Sequence, residues 1–151
     1  MSRWPNSAKD ARTSFGGLSR SSLMARVRSR GNATTELRFI ALLRSKGIKG
    51  WRRYLPLVGK PDFVFPSARL AVFIDGCFWH GHDCGRNLRP NTNQHAWSQK
   101  IDKNRQRDLT VTAHLKLQGW TVIRIWECSL KSNPQGSLQK VTKHLEKFAI
   151  R

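Results

Sequence analysis

Apolar positions along the chain change period several times, and each change marks an element. From Asn32 to Gly47, Leu37, Ile40, Ala41 and Arg44 fall at helical spacing, with Asn32 or Thr34 as cap and Gly47 as terminator. Trp51 to Leu55, Asp62 to Phe65 and Arg69 to Ile74 have the apolar, β-prone character of short strands, separated by Pro56, Gly59 and the Pro66-Ser67 turn. The last two are expected to form a hairpin. After a Cys/His-rich loop from Gly76 to Pro90, Trp97, Ile101, Val111 and Leu115 mark one face of a long helix that stops at Gly119, its other face polar and basic. Trp120 to Trp126 is an apolar β-type run, and Leu138, Val141, Leu145 and Phe148 define a last helix opened by Pro134. The predicted order is α-β-β-β-loop-α-β-α, an α/β class without internal repeats.

Charge narrows the partners. The 151 residues carry 28 Lys+Arg against 9 Asp+Glu, a formal net charge of +19. Such an excess suits a polyanion, most simply nucleic acid, although anionic membrane surfaces fit on charge alone. With 38% hydrophobic residues the chain can bury a core, which excludes disorder throughout. No apolar run approaches the roughly 18 residues of a membrane span, and the N-terminus lacks the hydrophobic block of a signal peptide. A soluble intracellular protein is expected. Residues 1–22, rich in Ser, Gly and Arg without apolar periodicity, suggest a flexible basic arm, with the folded domain spanning 23–151.

Candidate chemistry concentrates in the loop. Cys77, His82 and Cys84, in a C-x4-H-x-C cluster, together with Cys128 use every cysteine of the chain. Four such ligands suit a closed tetrahedral zinc site that pins the loop; three buried free thiols are the alternative. An odd cysteine count argues against a disulfide framework. His80, out of step with those ligands, can accept a proton from water in phosphodiester hydrolysis, or else pack in the loop or ligate metal.

Acids at strand edges stand out in so basic a chain. The expected hairpin brings Asp62 near the backbone of Ile74 and Asp75, a hard-oxygen set suited to Mg²⁺, and Glu36 on the first helix could add a more distant contact. A turn or cap role is the competing reading for an isolated Asp. Phe78, Trp79 and Trp97 lie in segments crowded with polar and basic residues, as rings that stack on or wedge between bases do. Trp120 and Trp126 are expected in the core. Lys100, Lys103, Asn104, Arg105 and Arg107 on one helix, and Arg26, Arg28 and Arg30 before another, are candidate phosphate contacts.

Taken together, RSRGNATTELRF (28–39), GKPDFVF (59–65), IDGCFWHGHDC (74–84), the W-x2-KI-x2-N-x2-RD pattern (97–108) and GWTVIRIWEC (119–128) resemble the very-short-patch-repair (Vsr) endonucleases, related to the PD-(D/E)xK nucleases. The resemblance implies a restriction-endonuclease-like fold with a mixed central sheet flanked by helices. It implies a nick 5′ of the thymine in a T·G mismatch, a lesion left when 5-methylcytosine deaminates. By the same resemblance Asp62 and the Ile74 carbonyl bind catalytic Mg²⁺, His80 is the general base, Glu36 holds water of the metal's shell, and Cys77, His82, Cys84 and Cys128 bind structural Zn²⁺. Phe78, Trp79 and Trp97 match aromatics that enter beside the mismatch, and the segment around Met24 matches one that enters the minor groove.

One departure concerns Ile74-Asp75, which replaces the Thr-His of a well-known form of the motif. It puts a carboxylate, able to bind metal directly, where a histidine would stand, while Cys77 takes the approximate place of the parent motif's Lys. The expected partner is duplex DNA carrying a T·G pair, engaged by a monomer in the bacterial cytoplasm at the nucleoid. Functional links to a cytosine-5 methyltransferase and to mismatch-repair proteins follow from the resemblance. Two other readings remain at this point: a restriction or defence nuclease of the same site acting on modified or unmismatched DNA, and a zinc-stabilised, non-catalytic DNA-binding module.

Overall fold

The computed structural model describes residues 35–85 and 91–149. The expected arm over 1–22, the cap candidates Asn32 and Thr34, and the DNA-contact candidates Met24, Arg26, Arg28 and Arg30 lie outside the described residues. Helix α1 (Glu36–Ser45) is followed by strand β1 (Phe63–Phe65), a 3-10 turn at Pro66–Ala68, β2 (Leu70–Asp75), α2 (Gln94–Leu117), β3 (Thr121–Trp126), α3 (Glu127–Ser132) and α4 (Pro134–Ala149).

The strands form one mixed sheet in the order β1-β2-β3. β1 and β2 make the expected hairpin, with Phe63 opposite Val72, while β3 runs parallel to β2, with Phe73 opposite Arg124 and Asp75 opposite Trp126. A parallel neighbour requires a crossover, and the long helix α2 supplies it. β2 is buried along its whole length, so alternate side chains feed two separate apolar clusters, one on each side. Leu70, Val72 and Ile74 pack with Phe39, Ile40, Leu43, Ile125, Leu130, Leu138 and Val141 from the strands and helices of one side. Ala71 and Phe73 pack with Val111 and Leu115 of α2 on the other. The layering of helix, sheet and helix is compatible with a restriction-endonuclease-like core.

Several expectations change. Trp51–Leu55 is not a strand: only Arg52 bridges, to Val64, and Tyr54 turns to a φ of 60°, which breaks the extended run. Trp51 instead donates from Nε1 to the Ile48 carbonyl at 3.1 Å and sets its ring against Phe63. The inward face of α1 is Glu36, Phe39, Ile40 and Leu43, one position out of phase with the expected stripe, leaving Leu37 45% exposed. A buried acid on that face hid the true phase. The short helix α3 was unforeseen. Gly47 ends α1 as expected, at a φ of 64°, with the Ile48 N–H donating to the Leu43 carbonyl at 2.9 Å. Among the described residues, no helix is long and apolar enough to cross a membrane.

Candidate active site and metal centre

Three acids meet at the open end of the hairpin. Asp62, just before β1, accepts a hydrogen bond from the Ile74 N–H at 2.7 Å, so the strand pairing itself fixes the carboxylate. Glu36 and Asp75 are close enough to act on it electrostatically. Burial pushes the Asp62 carboxyl up from 3.8 to about 7; the Ile74 N–H works against that, and the neighbouring Glu36 and Asp75 add to it. Gathering carboxylates out of water is unfavourable unless a cation joins them. Arg53 supplies one partner, pairing with Glu36 while its guanidinium lies over the Tyr54 ring. The hard oxygens around Asp62 fit a divalent cation.

His80 follows in the loop after β2. Its Nδ1 is hydrogen-bonded to the Asp108 carboxylate, and its Nε2 lies 3.8 Å from Asp75 Oδ1. A carboxylate on Nδ1 favours the tautomer protonated there and leaves Nε2 as the acceptor. Asp108 comes from α2, where Asn104, Asp108 and Thr112 recur every fourth residue on the side facing the sheet; Asn104 donates to the Trp79 carbonyl at 2.8 Å.

Arg124 of β3 completes this side. Its Nη1 lies 3.0 and 2.9 Å from the two Asp75 oxygens, its Nη2 donates to the Asp108 carbonyl at 3.3 Å, and its Nε donates to Thr112 Oγ1 at 3.1 Å. Reading the sequence missed both Asp108 and Arg124. A full charge inside the apolar run Val122–Trp126 was the available signal for Arg124, and a rare acid in step with Ile101 and Leu115 was the signal for Asp108.

The four expected soft ligands come together. One ligand atom each from Cys77, His82, Cys84 and Cys128 lies within 4.8 Å of the others, and His82 Nδ1 is 3.5 Å from Cys128 Sγ. Tetrahedral edges for such donors are roughly 3.5–4 Å, so the group can close on a metal ion with little movement. Trp126 is not a core residue as expected. Its indole stacks on His82, with centroids 4.1 Å apart and planes 5° from parallel, and covers one face of that imidazole.

Phe78, Trp79 and Trp97 form a triad of edge-on rings, with centroids 5.1, 5.2 and 6.0 Å apart. Lys100 Nζ sits 5.1 Å from the Trp79 ring and 5.5 Å from that of Trp97. Phe78 is only 8% exposed, so it packs against its neighbours here rather than facing solvent. Arg105 flanks the loop beside Gly81, and Arg107 donates to Asn104 Oδ1 at 3.2 Å.

A mixed sheet that carries acids and a carboxylate-held histidine at one end, in a strongly basic chain, fits a DNA endonuclease. The family model described as DNA mismatch endonuclease Vsr matches residues 14–86. The DNA mismatch endonuclease Vsr of Escherichia coli is 35% identical over 129 residues, covering 85% of this chain and 82% of the relative. A type II nicking enzyme of Xanthomonas oryzae, V.XorIIP, is 44% identical over 108 residues, 72% of this chain and 79% of its own. A further type II nicking enzyme, V.HpaIIP of Haemophilus parainfluenzae, is 31% identical over 117 residues, 77% and 83% of the two chains. The chain belongs to the Vsr family of DNA mismatch endonucleases. That membership sets aside the reading of a non-catalytic binding module.

Proposed function

We propose that this endonuclease nicks one strand of duplex DNA on the 5′ side of the thymine in a T·G pair. The observation that carries the nicking chemistry is the placement of His80, held at Nδ1 by Asp108, beside the carboxylates gathered around Asp62, and the relative named a DNA mismatch endonuclease supports the choice of target. Asp62 and the Ile74 carbonyl would hold Mg²⁺, the source of positive charge for the scissile phosphate and the leaving 3′ oxygen. Cys77, His82, Cys84 and Cys128 would hold Zn²⁺ as a cross-link between the loop and the start of α3.

The protein's own groups divide the work. His80 Nε2 takes a proton from the attacking water; the water oxygen bonds to phosphorus, and the phosphorus–O3′ bond breaks. A solvent proton neutralises the departing oxygen, leaving a 3′-hydroxyl and a 5′-phosphate. Asp108 stabilises the imidazolium that forms. Trp79 and Trp97 supply rings to insert beside the mismatch, backed by Phe78 packed behind them. A poorly stacked T·G step costs less to open than a matched one, which gives selectivity a physical origin. Lys100, Asn104 and Arg105 contact DNA, and Met24, Arg28 and Arg30, earlier in the chain, add contacts of their own. The enzyme acts as a monomer in the bacterial cytoplasm, downstream of cytosine-5 methylation and upstream of mismatch-repair proteins.

Duplexes with and without one central T·G pair, each strand separately labelled, test this in Mg²⁺ and in buffer without divalent ions. The expected result is a nick in the T strand only, requiring both mismatch and Mg²⁺, lost in His80→Ala with DNA binding retained. The second reading rests on the relatives named as nicking enzymes: a restriction-associated nuclease would cut both duplexes equally.

A further inference from the structure

Asp75 is the residue at which this chain departs from the Thr-His form of the motif. As a buried carboxylate beside Asp62 it invites assignment as a second metal ligand, and Asp75, His80 and Asp108 do bring ligand atoms within 4.8 Å of one another. A cation already stands there. Arg124 Nη1 contacts both Asp75 oxygens at 3.0 and 2.9 Å, and the same nitrogen lies 3.5 Å from Asp108 Oδ1.

Every nitrogen of this guanidinium is used. Nη2 reaches the Asp108 carbonyl, Nε reaches Thr112, and the flat group lies 4.2 Å from the centroid of the Phe73 ring. The strand register makes this arrangement: Phe73 is directly opposite Arg124, and Asp75 is the next residue of β2 on the same face. Asp108 and Thr112 are one turn apart on α2. Arg124 thus joins β2, β3 and α2 at the two acids that flank His80. A planar cation with five donors in a fixed fork can hold two carboxylate groups, a carbonyl and a hydroxyl together, more than the three donors of an ammonium reach at once.

We propose that Arg124 is a positioning residue for the base. It fixes Asp75 and Asp108 on either side of His80 and keeps Asp75 bound to the protein instead of to the catalytic metal. Asp75 then completes the surroundings of His80, and the divalent cation belongs to the Asp62 side alone. The assignment rests on the reading of His80 as the base, but its metal and spectroscopic consequences are measurable without cleavage.

The experiment uses full-length, zinc-loaded protein as wild type, Arg124→Met, Arg124→Lys, Asp75→Asn and the Arg124→Met/Asp75→Asn double variant. Mn²⁺ binding is counted by electron paramagnetic resonance, with Mn²⁺ alone as the probe. The wild type should bind one Mn²⁺ that Asp75→Asn weakens by less than threefold. Arg124→Met should gain a second ion or bind tenfold tighter, and the double variant should lose that gain, which separates a freed carboxylate from a mere change in net charge.

In ¹⁵N-histidine spectra, the His80 Nδ1 proton shared with Asp108 should shift or exchange away in Arg124→Met, and return in part with Lys. On T·G duplex the Met variant should lose 10- to 100-fold in kcat with KM within threefold. Loss of the wild-type Mn²⁺ site in Asp75→Asn, or unchanged Mn²⁺ binding and an unchanged His80 resonance in Arg124→Met, overturns the assignment. If Arg124→Met fails to fold, Arg124→Lys and Asp75→Asn carry the same two readouts. Absence of cleavage by the wild type counts against the proposed reaction and leaves the Mn²⁺ and histidine results to decide the role of Arg124.

Discussion

Asp62 carries the clearest consequence at the scale of a single residue. Its folded pKa of about 7 exceeds the ordinary 3.8, so between those values the folded protein holds a proton that the unfolded chain releases. Without Mg²⁺, stability therefore falls as pH rises through that window, by at most about 1.4 kcal/mol per pH unit. Thermal unfolding of protein dialysed free of Mg²⁺ should show a steeper decline from pH 5 to 7 than Asp62→Asn does. Saturating Mg²⁺ should flatten the wild-type slope. A wild-type slope equal to that of Asp62→Asn would remove the burial argument. In the proposed mechanism Asp108 acts through His80, and general acid–base contributions run to roughly 10²–10⁴-fold. Asp108→Asn is expected to lower kcat within that range while leaving the Kd for duplex DNA within threefold; single-turnover cleavage and a binding titration check both.

Among the elements, the loop from Gly76 to Gly85 bears the proposed base, two of the three clustered aromatics and three of the four candidate soft ligands, and it is held against α2 at Gly81. That glycine has a φ of 65°, and a Cβ there would come within 2.5 Å of Ile101 Cγ2 and 3.3 Å of Arg105 Cδ. Gly81→Ala should cost more than about 1 kcal/mol through backbone strain and the clash with α2. Denaturant unfolding measures it, and a midpoint unchanged from wild type would contradict the docking of the loop on α2. Much of this loop was legible in the sequence, because Cys77, His82, Cys84 and Cys128 announce themselves by type and spacing. The Asp62–Ile74 contact was legible for another reason: a short hairpin has few registers. Asp108 and Arg124 were hidden because their meaning depends on how α2 sits across the sheet. Until that docking is known, an acid on a basic helix is a surface charge and an arginine in a strand is an interruption. Glu36 misled in the same way, since a buried acid shifts the apparent phase of its helix.

For the whole molecule, net charge decides how tightly DNA is held and how little that depends on sequence. The first 60 residues hold 14 Lys+Arg against Asp10 and Glu36, and the remaining 91 hold 14 against 7 acids, so positive charge is denser toward the front. Several of the later acids are occupied: Asp75 with Arg124, Asp108 with His80 and Arg124, Glu127 with Lys131. These internal pairs leave the field of the molecule to its unpaired bases. Each phosphate neutralised releases counterions and contributes about −0.9 to the slope of log K against log salt on duplex DNA. Arg26, Arg28 and Arg30 precede α1 in the chain, and if each meets a phosphate their joint replacement by Ala should reduce the slope by about 3. Lys100 differs, because its ammonium lies against the Trp79 and Trp97 rings and is tied to the aromatics proposed to open the mismatch. Replacing the three arginines should weaken T·G and matched duplexes alike. Lys100→Ala should reduce the slope by about 1 and also narrow the preference for T·G. Titrations of both duplexes from 50 to 300 mM salt separate the two kinds of contact, and an equal loss on both duplexes for Lys100→Ala would make that lysine an ordinary phosphate contact.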